Sequence, residues 1–535
     1  EPSVRGGYRR LSGTSRFSSS QVGGSSSTIL GVAVFNNGVV AAQSTNVYFG
    51  TGSSWTSIDS GRTSAGRYRF EKYNFSTNEE RLIFADGANF ASVYNGTTVM
   101  DIKGATTIST TGSASNSSTS LSVSSAAGIM EGMYIGGTNI GSGAKVSSIS
   151  GTTVTMSVAT TGTISSGSVT FAGLGTAPSD PSMVTAFKNH MFYAGMSAEP
   201  NTIVFSAIGD ENDFTASNGA GSLNVDSTII ALKSFRGELI IFCEDRIYKL
   251  AGNALADFAI APISRNVGCS DAFSIQEIGG DVIFLAPDGL RTIAGTARIG
   301  DVELGTVSKQ IQARISDIGF TNISSVVIRD KSQYRLFYPS GGLESAEKGI
   351  IGVLKSNPSG QIGWEYSDIR GIKPSCCDSG FISGVEKVIH GGFDGYVYLQ
   401  ESGNTFNGTA MKAIYRSPDL TMGDAGIRKN MQRINVNYDP EGSVNASLFV
   451  KYDFEDAGTP QPSAYTLSTA DTAAVYDNSG TLYDSAVYDA EGMPIVRQSV
   501  EGSGFTVVIR LEDESSNPPI TLKGFELEFT PGARM

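Results

Sequence analysis

Histidine, cysteine and tryptophan are scarce in this chain of 535 residues, which holds two, four and two of them. With His190 and His390 as its only imidazoles, a histidine-rich metal site is excluded. The spacings of Cys243, Cys269, Cys376 and Cys377 match no zinc pattern. Cys376 and Cys377 are adjacent, which argues against a simple structural disulfide between them, and four cysteines in so long a chain make no disulfide scaffold. Neither metal nor cofactor is expected. Charged residues are only 17% of the chain, against a usual share of about 25%, which excludes a coiled coil, a basic nucleic-acid coat and a highly charged disordered protein. No apolar run approaches the roughly 18 residues a membrane helix needs. The chain opens at Glu1 with no charged-apolar-small leader, so a trimmed or processed start is expected. A soluble, mainly β protein is the expectation.

Glycine is abundant instead. The 64 glycines are about twice the usual share of roughly 7%, without a collagen period. They punctuate short runs in which apolar and polar residues alternate, the pattern of strands joined by tight turns. Leu30 to Ile58 is representative: GVAVF, then Asn36-Asn37-Gly38, then VVAAQ, NVYF, Gly50-Thr51-Gly52 and WTSI. The Asn-Asn-Gly step supplies the positive φ that a tight hairpin requires. No long segment has helical spacing; a short piece such as Thr306 to Ile318, where Val307, Ile311, Ile315 and Ile318 would share a face, reads as a helix.

A repeat lies beneath the strands. RLIFADG at 81–87, ELIIFCEDRIYKL at 238–250, DVIFLAPDGLRTI at 281–293 and KVIHGGFDGYVYL at 387–399 each place an apolar run before a polar turn with an aspartate. Those aspartates are Asp86, Asp245, Asp288 and Asp394, and weaker copies turn near Ser44, Gly195 and Ser340. Once a segment of odd composition at 105–174 is set aside, the markers recur about every 40–55 residues, roughly seven times, the period of a β-propeller blade. One blade cannot bury both of its faces, and radial stacking does so while protecting most edges. The chain therefore reads as all-β: a β-propeller of about six to seven blades with an inserted small β-domain and a C-terminal β-sandwich-like region. Its expected divisions are 1–104, an N-terminal arm and first blades; 105–174, the insert; 175–427, the remaining blades; and 428–535, the acidic sandwich-like region. The insert is rich in Ser, Thr and Gly, with Glu131 and Lys145 as its only charged side chains.

Charge is unevenly spread. Residues 1–104 hold ten Lys/Arg and seven Asp/Glu, whereas 428–535 hold eight and sixteen. Near the start, Arg5, Arg9, Arg10 and Arg16 either grip an acidic neighbour through bidentate bonds or serve as ordinary surface partners, each worth little. Near the end, the recurring AVYD, LYD and AVYD place Tyr476, Asp477, Tyr483, Asp484, Tyr488 and Asp489 in one acidic stretch. That stretch reads either as a partner contact or as a plain solvated hairpin.

Catalytic signals are thin. GxxxxGK[ST] is absent, and neither histidine lies in a nucleophile-elbow context, so both read as structural. Carboxylate pairs of the glycosidase kind are open to a chain with 52 Asp and Glu. Ser57-Ile58-Asp59-Ser60-Gly61-Arg62-Thr63 matches the start of a sialidase-type Asp box, but it occurs once, without the closing aromatic. Trp55 and Trp364 are the only tryptophans available as sugar platforms, and the sequons at Asn95 and Asn407 carry meaning only on a secretory route. The chain is expected not to be an enzyme, with no catalytic, cofactor-binding or metal-binding residue.

Three stretches, EPSVRGGYRRLSG at the start, LAGNALADFAIAPISRNVGCSDAFSIQEIGGDVIFLAPDGLRTI in the centre and ITLKGFELEFTPGARM at the end, carry a family likeness. Together the chain resembles the tail nozzle or hub proteins of short-tailed bacteriophages, the group that includes tail tubular protein B of T7-like phages and the packaged-DNA stabilisation protein of P22-type phages. The resemblance spans most of the chain outside 105–174. It implies a structural virion protein located in the tail: a homo-hexameric ring below the tail adaptor protein, with tail fibre or spike proteins around it. Double-stranded DNA would pass through the lumen without sequence-specific binding, held in until ejection. Acidic charge suits a conduit, since carboxylates repel phosphate where lysines would trap it. Such a ring needs two different complementary patches on each subunit, and the arginine arm and the acidic stretch are the candidates. The alternative from another class is a host-surface propeller that binds or cleaves glycans, an adhesin or depolymerase.

Overall fold

In the computed structural model, the described residues are all but 4–5, 65, 76–79, 106, 294–305, 319–321, 340–345, 357–361, 470–494 and 535. The chain forms two compact units, one of residues 20–315 and one of 1–19 with 316–535. The fold is all-β, a β-propeller with an inserted β-domain and a C-terminal sandwich.

The 20–315 unit contains five blade sheets. Four have four antiparallel strands in sequence order: Ile29–Phe35 to Trp55–Asp59, Arg69–Tyr73 to Val99–Asp101, Met183–Phe187 to Gly221–Asn224, and Ile229–Phe235 to Ala259–Ser264. The fifth has three strands, Gln276–Ile278, Asp281–Ala286 and Gly289–Thr292. The other unit contains two: Ser324–Ile328 to Ile362–Arg370, and Cys376–Ile382, Val385–Gly391 and Val397–Gln400 completed by Thr14–Arg16 from the start of the chain. Seven blade sheets are thus present among the described residues, at the upper end of the expected six to seven.

Burial shows why these sheets stack. The second strands Gly38–Gln43, His190–Ala194 and Gln333–Pro339 are buried at every position, as in a strand covered on both faces. Alternate residues go to opposite neighbours. In Arg81–Ala85, Leu82 and Phe84 pack with Val40 and Val47 of the first blade, while Ile83 and Ala85 pack with Met191 and Tyr193 of the third. In Glu238–Cys243, Leu239 and Ile241 face the third blade, and Ile240 and Phe242 face the fifth. The period of two along a strand thereby divides one apolar run between two cores.

The repeat read from the sequence has a single structural meaning. Ser44, Asp86, Gly195, Asp245, Asp288 and Asp394 each lie between the second and third strands of a blade; Ser340 lies outside the described residues. The first hairpin closes on Asn36 and Asn37 at φ 46° and 55°, with Phe35 opposite Gly38. That is the left-handed two-residue loop whose twist matches paired strands.

The insert is a six-stranded antiparallel sheet spanning Ile108–Ala114 to Ile164–Phe171. Its strands alternate buried and exposed residues, as in Ser120–Val123 and Thr153–Met156. Its core of Leu121, Met133, Val154, Val169 and Phe171 is its own. Gly104–Ala105 pairs with Gly175–Thr176, so the ends of the insert meet in a two-stranded stem.

Two expectations shift. The helix expected over Thr306–Ile318 is short: a 3-10 turn, Lys309–Ile311, runs into one α-turn, Gln312–Ile315. Ile315 and Ile318 are buried, but Ser308 turns inward, where its hydroxyl accepts from the Leu290 amide at 3.0 Å. The C-terminal sandwich begins at Ala413–Arg416, ahead of 428. One of its sheets orders Tyr8–Arg9, Ile520–Arg534, Ile427–Pro440 and Ile495–Ser499; the other orders Ala413–Arg416, Val507–Asp513, Val444–Tyr452 and Tyr465–Thr469. Ile434 and Val436 of the first meet Leu448, Val450 and Ile509 of the second in one core.

Candidate assembly surfaces and the inner strand edge

The arginines at the start of the chain are engaged within their own unit. Tyr8 pairs with Leu522 and Arg9 with Thr521, and Thr14–Arg16 pairs with Tyr398–Gln400, so the segment completes two sheets. Arg9 grips Glu441 with two bonds, Nε to Oε1 at 2.6 Å and Nη2 to Oε2 at 2.7 Å. Arg10 is buried and donates to Asp513 and to the Ser515 carbonyl, both at 2.9 Å. Arg16 stacks over the Tyr396 ring at 3.8 Å. Arg5, Tyr476, Asp477, Tyr483, Asp484, Tyr488 and Asp489 lie outside the described residues.

Next to this segment is a buried ion network that sequence reading missed. Arg335, in the wholly buried strand Gln333–Pro339, donates to Glu1 at 3.2 Å and also bonds Glu401. Lys331 meets Glu1 at 2.8 Å and also bonds Glu401. Burial pushes both carboxyls up, but Lys331 and Arg335 outweigh it: Glu1 is held at about 2, and Glu401 is lowered too. The available signal was an arginine inside the apolar run YRLFY.

A propeller's central channel is a natural place for a ligand. In the 20–315 unit the first strands of successive blades touch: first with second, second with third, third with fourth. Their polar side chains pair with one another. The Arg67 and Arg69 guanidiniums stack on Phe273 at 3.6 and 4.3 Å, joining the second blade to the entry of the fifth. Burial lowers Arg69 to about 10 against the pull of Asp271, and burial raises Asp271 itself. Glu71 accepts from Thr185 Oγ1 at 3.4 Å; burial raises its pKa and the nearby Lys233 partly offsets that. These contacts tie neighbouring blades together along the inner edge.

The buried turn aspartate, Asp86, is structural. Asp86 accepts from the amides of Ala88 and Asn89 at 3.0 and 2.9 Å. Its second oxygen takes Arg62 Nε and Nη2 at 3.2 and 3.0 Å. Arg62 also reaches Asp59 at 3.1 Å and Ser92 at 2.7 Å, so the lone Asp-box-like stretch ends in a buried brace between the first two blades. Both histidines are buried. His190 donates from Nδ1 to the Ser206 carbonyl at 2.6 Å, among Phe192, Phe205 and Phe258. His390 stacks on Tyr398 at 5.1 Å, and burial lowers it to about 3. All four cysteines are free thiols. Among the described residues no group of three or more His, Cys, Asp and Glu is placed to hold a metal ion.

Two surface features stand apart from this interior. A cleft of about 330 Å³ opens where the last strand of the third blade meets the outer strands of the fourth, lined by Val225, Arg246, Tyr248, Ile260, Pro262 and Arg265 among others. On the sandwich, Asp453, Phe454 and Glu455 run consecutively at φ 51°, 59° and 61°. Left-handed backbone costs a non-glycine residue about 1–2 kcal/mol, and the turn presents Phe454 with 72% of its surface exposed.

No family model matches the chain, and no curated protein does. Among solved structures it is similar to the computationally designed Ika8 protein, at 13% identity and TM-score 0.34 over 71% of this chain and 98% of that one. It is also similar to Sqt1 of Saccharomyces cerevisiae, at 11% identity and TM-score 0.34 over 72% and 98%. Hsv2 of Kluyveromyces lactis gives 9% identity and TM-score 0.30 over 64% and 98%. At these scores the matches carry no argument; sheet order and two-sided burial define the fold.

Proposed function

We propose that this chain is a structural protein of a short-tailed bacteriophage virion: the tail nozzle or hub. Six copies form a ring below the tail adaptor, continue the DNA channel, retain the packaged genome and open for ejection, with fibres or spikes attached around them. The observation that carries this reading is where the three family-like stretches lie. The opening and closing stretches pair in one sheet, Tyr8 opposite Leu522, and the central one builds the end of the fourth blade and the whole of the fifth. The likeness therefore falls on elements that build the platform. The surplus of eight negative charges from residue 428 onward suits a lumen that releases DNA.

Native mass spectrometry of the full chain tests the ring. A six-copy species is expected. A monomer at every concentration, together with specific binding or turnover on a glycan array, would favour the adhesin or depolymerase instead.

A further inference from the structure

We infer that Phe454 is a knob that seats in the cleft of the fourth blade on a second copy of this chain. This head-to-tail contact rests on the ring reading above and assigns one of its two patches to each side.

The knob is a built feature. Its three left-handed residues are held by Asp453, whose Oδ1 accepts from the Phe505 amide at 2.6 Å and the Thr506 amide at 3.3 Å. Arg416 braces Glu455 at 3.1 Å. Strained backbone kept in place by several bonds points to a use, and here the turn projects an aromatic ring into solvent. Exposed aromatics are the side chains that anchor protein contacts most often.

The cleft offers what such a ring takes. Val225, Ile260 and Pro262 supply apolar surface, and Tyr248 an aromatic face. Of its two arginines, Arg246 is held by Asp226 at 2.6 Å and by Asp245. Arg265 is exposed and has no ion-pair partner among the described residues. Beside the knob, Asp456 is exposed and likewise has no ion-pair partner among them. The Asp456 carboxylate, whose Oδ1 accepts from the Gly458 amide at 3.1 Å but forms no ion pair among the described residues, therefore meets the Arg265 guanidinium at the cleft, and complementary charge fixes orientation. The two patches differ, so the contact is heterologous and repeats from copy to copy around a ring.

The test is self-association of the full chain by native mass spectrometry over a concentration series. Phe454→Ala is expected to weaken assembly about thirtyfold, the effect of a central aromatic anchor, with an unchanged melting temperature because the ring is exposed. Arg265→Asp and Asp456→Arg are each expected to weaken it about tenfold, and combining them to return it to within about threefold of the parent. If the parent forms rings and Phe454→Ala forms them equally well, this contact is wrong and the ring reading stands. Additive losses in the paired charge swap also overturn the contact. A parent that stays monomeric throughout overturns the contact and the ring reading together.

Discussion

Two sets of buried carboxylates, one in each unit, shift in opposite directions. In the unit of 1–19 and 316–535, Glu1 and Glu401 lie between Lys331 and Arg335, and that cationic pair outweighs burial. In the 20–315 unit, burial wins at Glu71, Asp210 and Asp271, whose pKa values are raised. The difference follows from how closely the cations engage. Lys331 and Arg335 bond Glu1 and Glu401 directly, whereas Lys145 stays 3.8 Å from Asp210, and Arg67 and Arg69 stack on Phe273 beside Asp271. One unit is thus held partly by ion pairs that acid removes, and the other carries carboxyls that acid relieves.

The largest expected effect breaks the first network. Arg335→Ala leaves two buried carboxylates short of a cation and is expected to cost about 3–5 kcal/mol. Denaturant unfolding followed by hydrogen exchange should show the loss in strands of 316–535, with the 20–315 strands unchanged. Equal loss in both units would erase the contrast.

Leu121→Ala sharpens it within the other unit. The insert's core is self-contained, so a loss of about 2–5 kcal/mol should appear as early exchange confined to 108–171, with the blade strands still protected. Spread into the blades would mean that the stem does not insulate the insert.

Acid gives the third test. Glu1 and Glu401 are depressed, so their stabilisation is present above the ordinary value of 4.5 and is lost as pH falls through that value toward about 2. His390, lowered from 6.5 to about 3, acts in the same direction: its neutral form fits the fold, and stability falls as pH drops below 6.5. Asp330, raised by burial and Glu386, is an exception in that unit, and Asp101, whose burial is outweighed by Lys103, Ser92 and Arg62 so that it is lowered, is an exception in the other. Glu71, Asp210 and Asp271 act oppositely, since the stability from a raised carboxyl is full at low pH and is lost as pH rises through its folded value. Between pH 6 and 3, exchange should therefore rise first in 316–440. A simultaneous rise in the 20–315 strands would contradict the contrast.

The smallest effect is at the surface. Glu441→Ala removes the partner of Arg9, and a loss of about 1 kcal/mol or less is expected in thermal melting.

Much of the fold was legible because a propeller writes itself as a period. The turn between second and third strands recurs with its aspartate, and the insert is marked by its lack of charge. The closure of the last blade was not legible. Thr14–Arg16 pairs with Tyr398–Gln400 nearly 400 residues away, and no local pattern encodes so distant a partner. Arg9, Arg10 and Arg16 left open a grip on a neighbour or ordinary surface pairing because sequence shows charge without its partners; Glu441, Asp513 and Tyr396 supply partners within the chain. The Phe454 turn was hidden for another reason, since of Asp-Phe-Glu only the aspartate has any leaning to left-handed backbone.

The central claim is that copies of this chain build a conduit. Electron microscopy of the full chain in solution tests it most directly. The account predicts a six-fold ring with an open axial hole and one propeller per copy around it. Single particles without a ring, or a ring whose axis is closed by protein throughout, would contradict it.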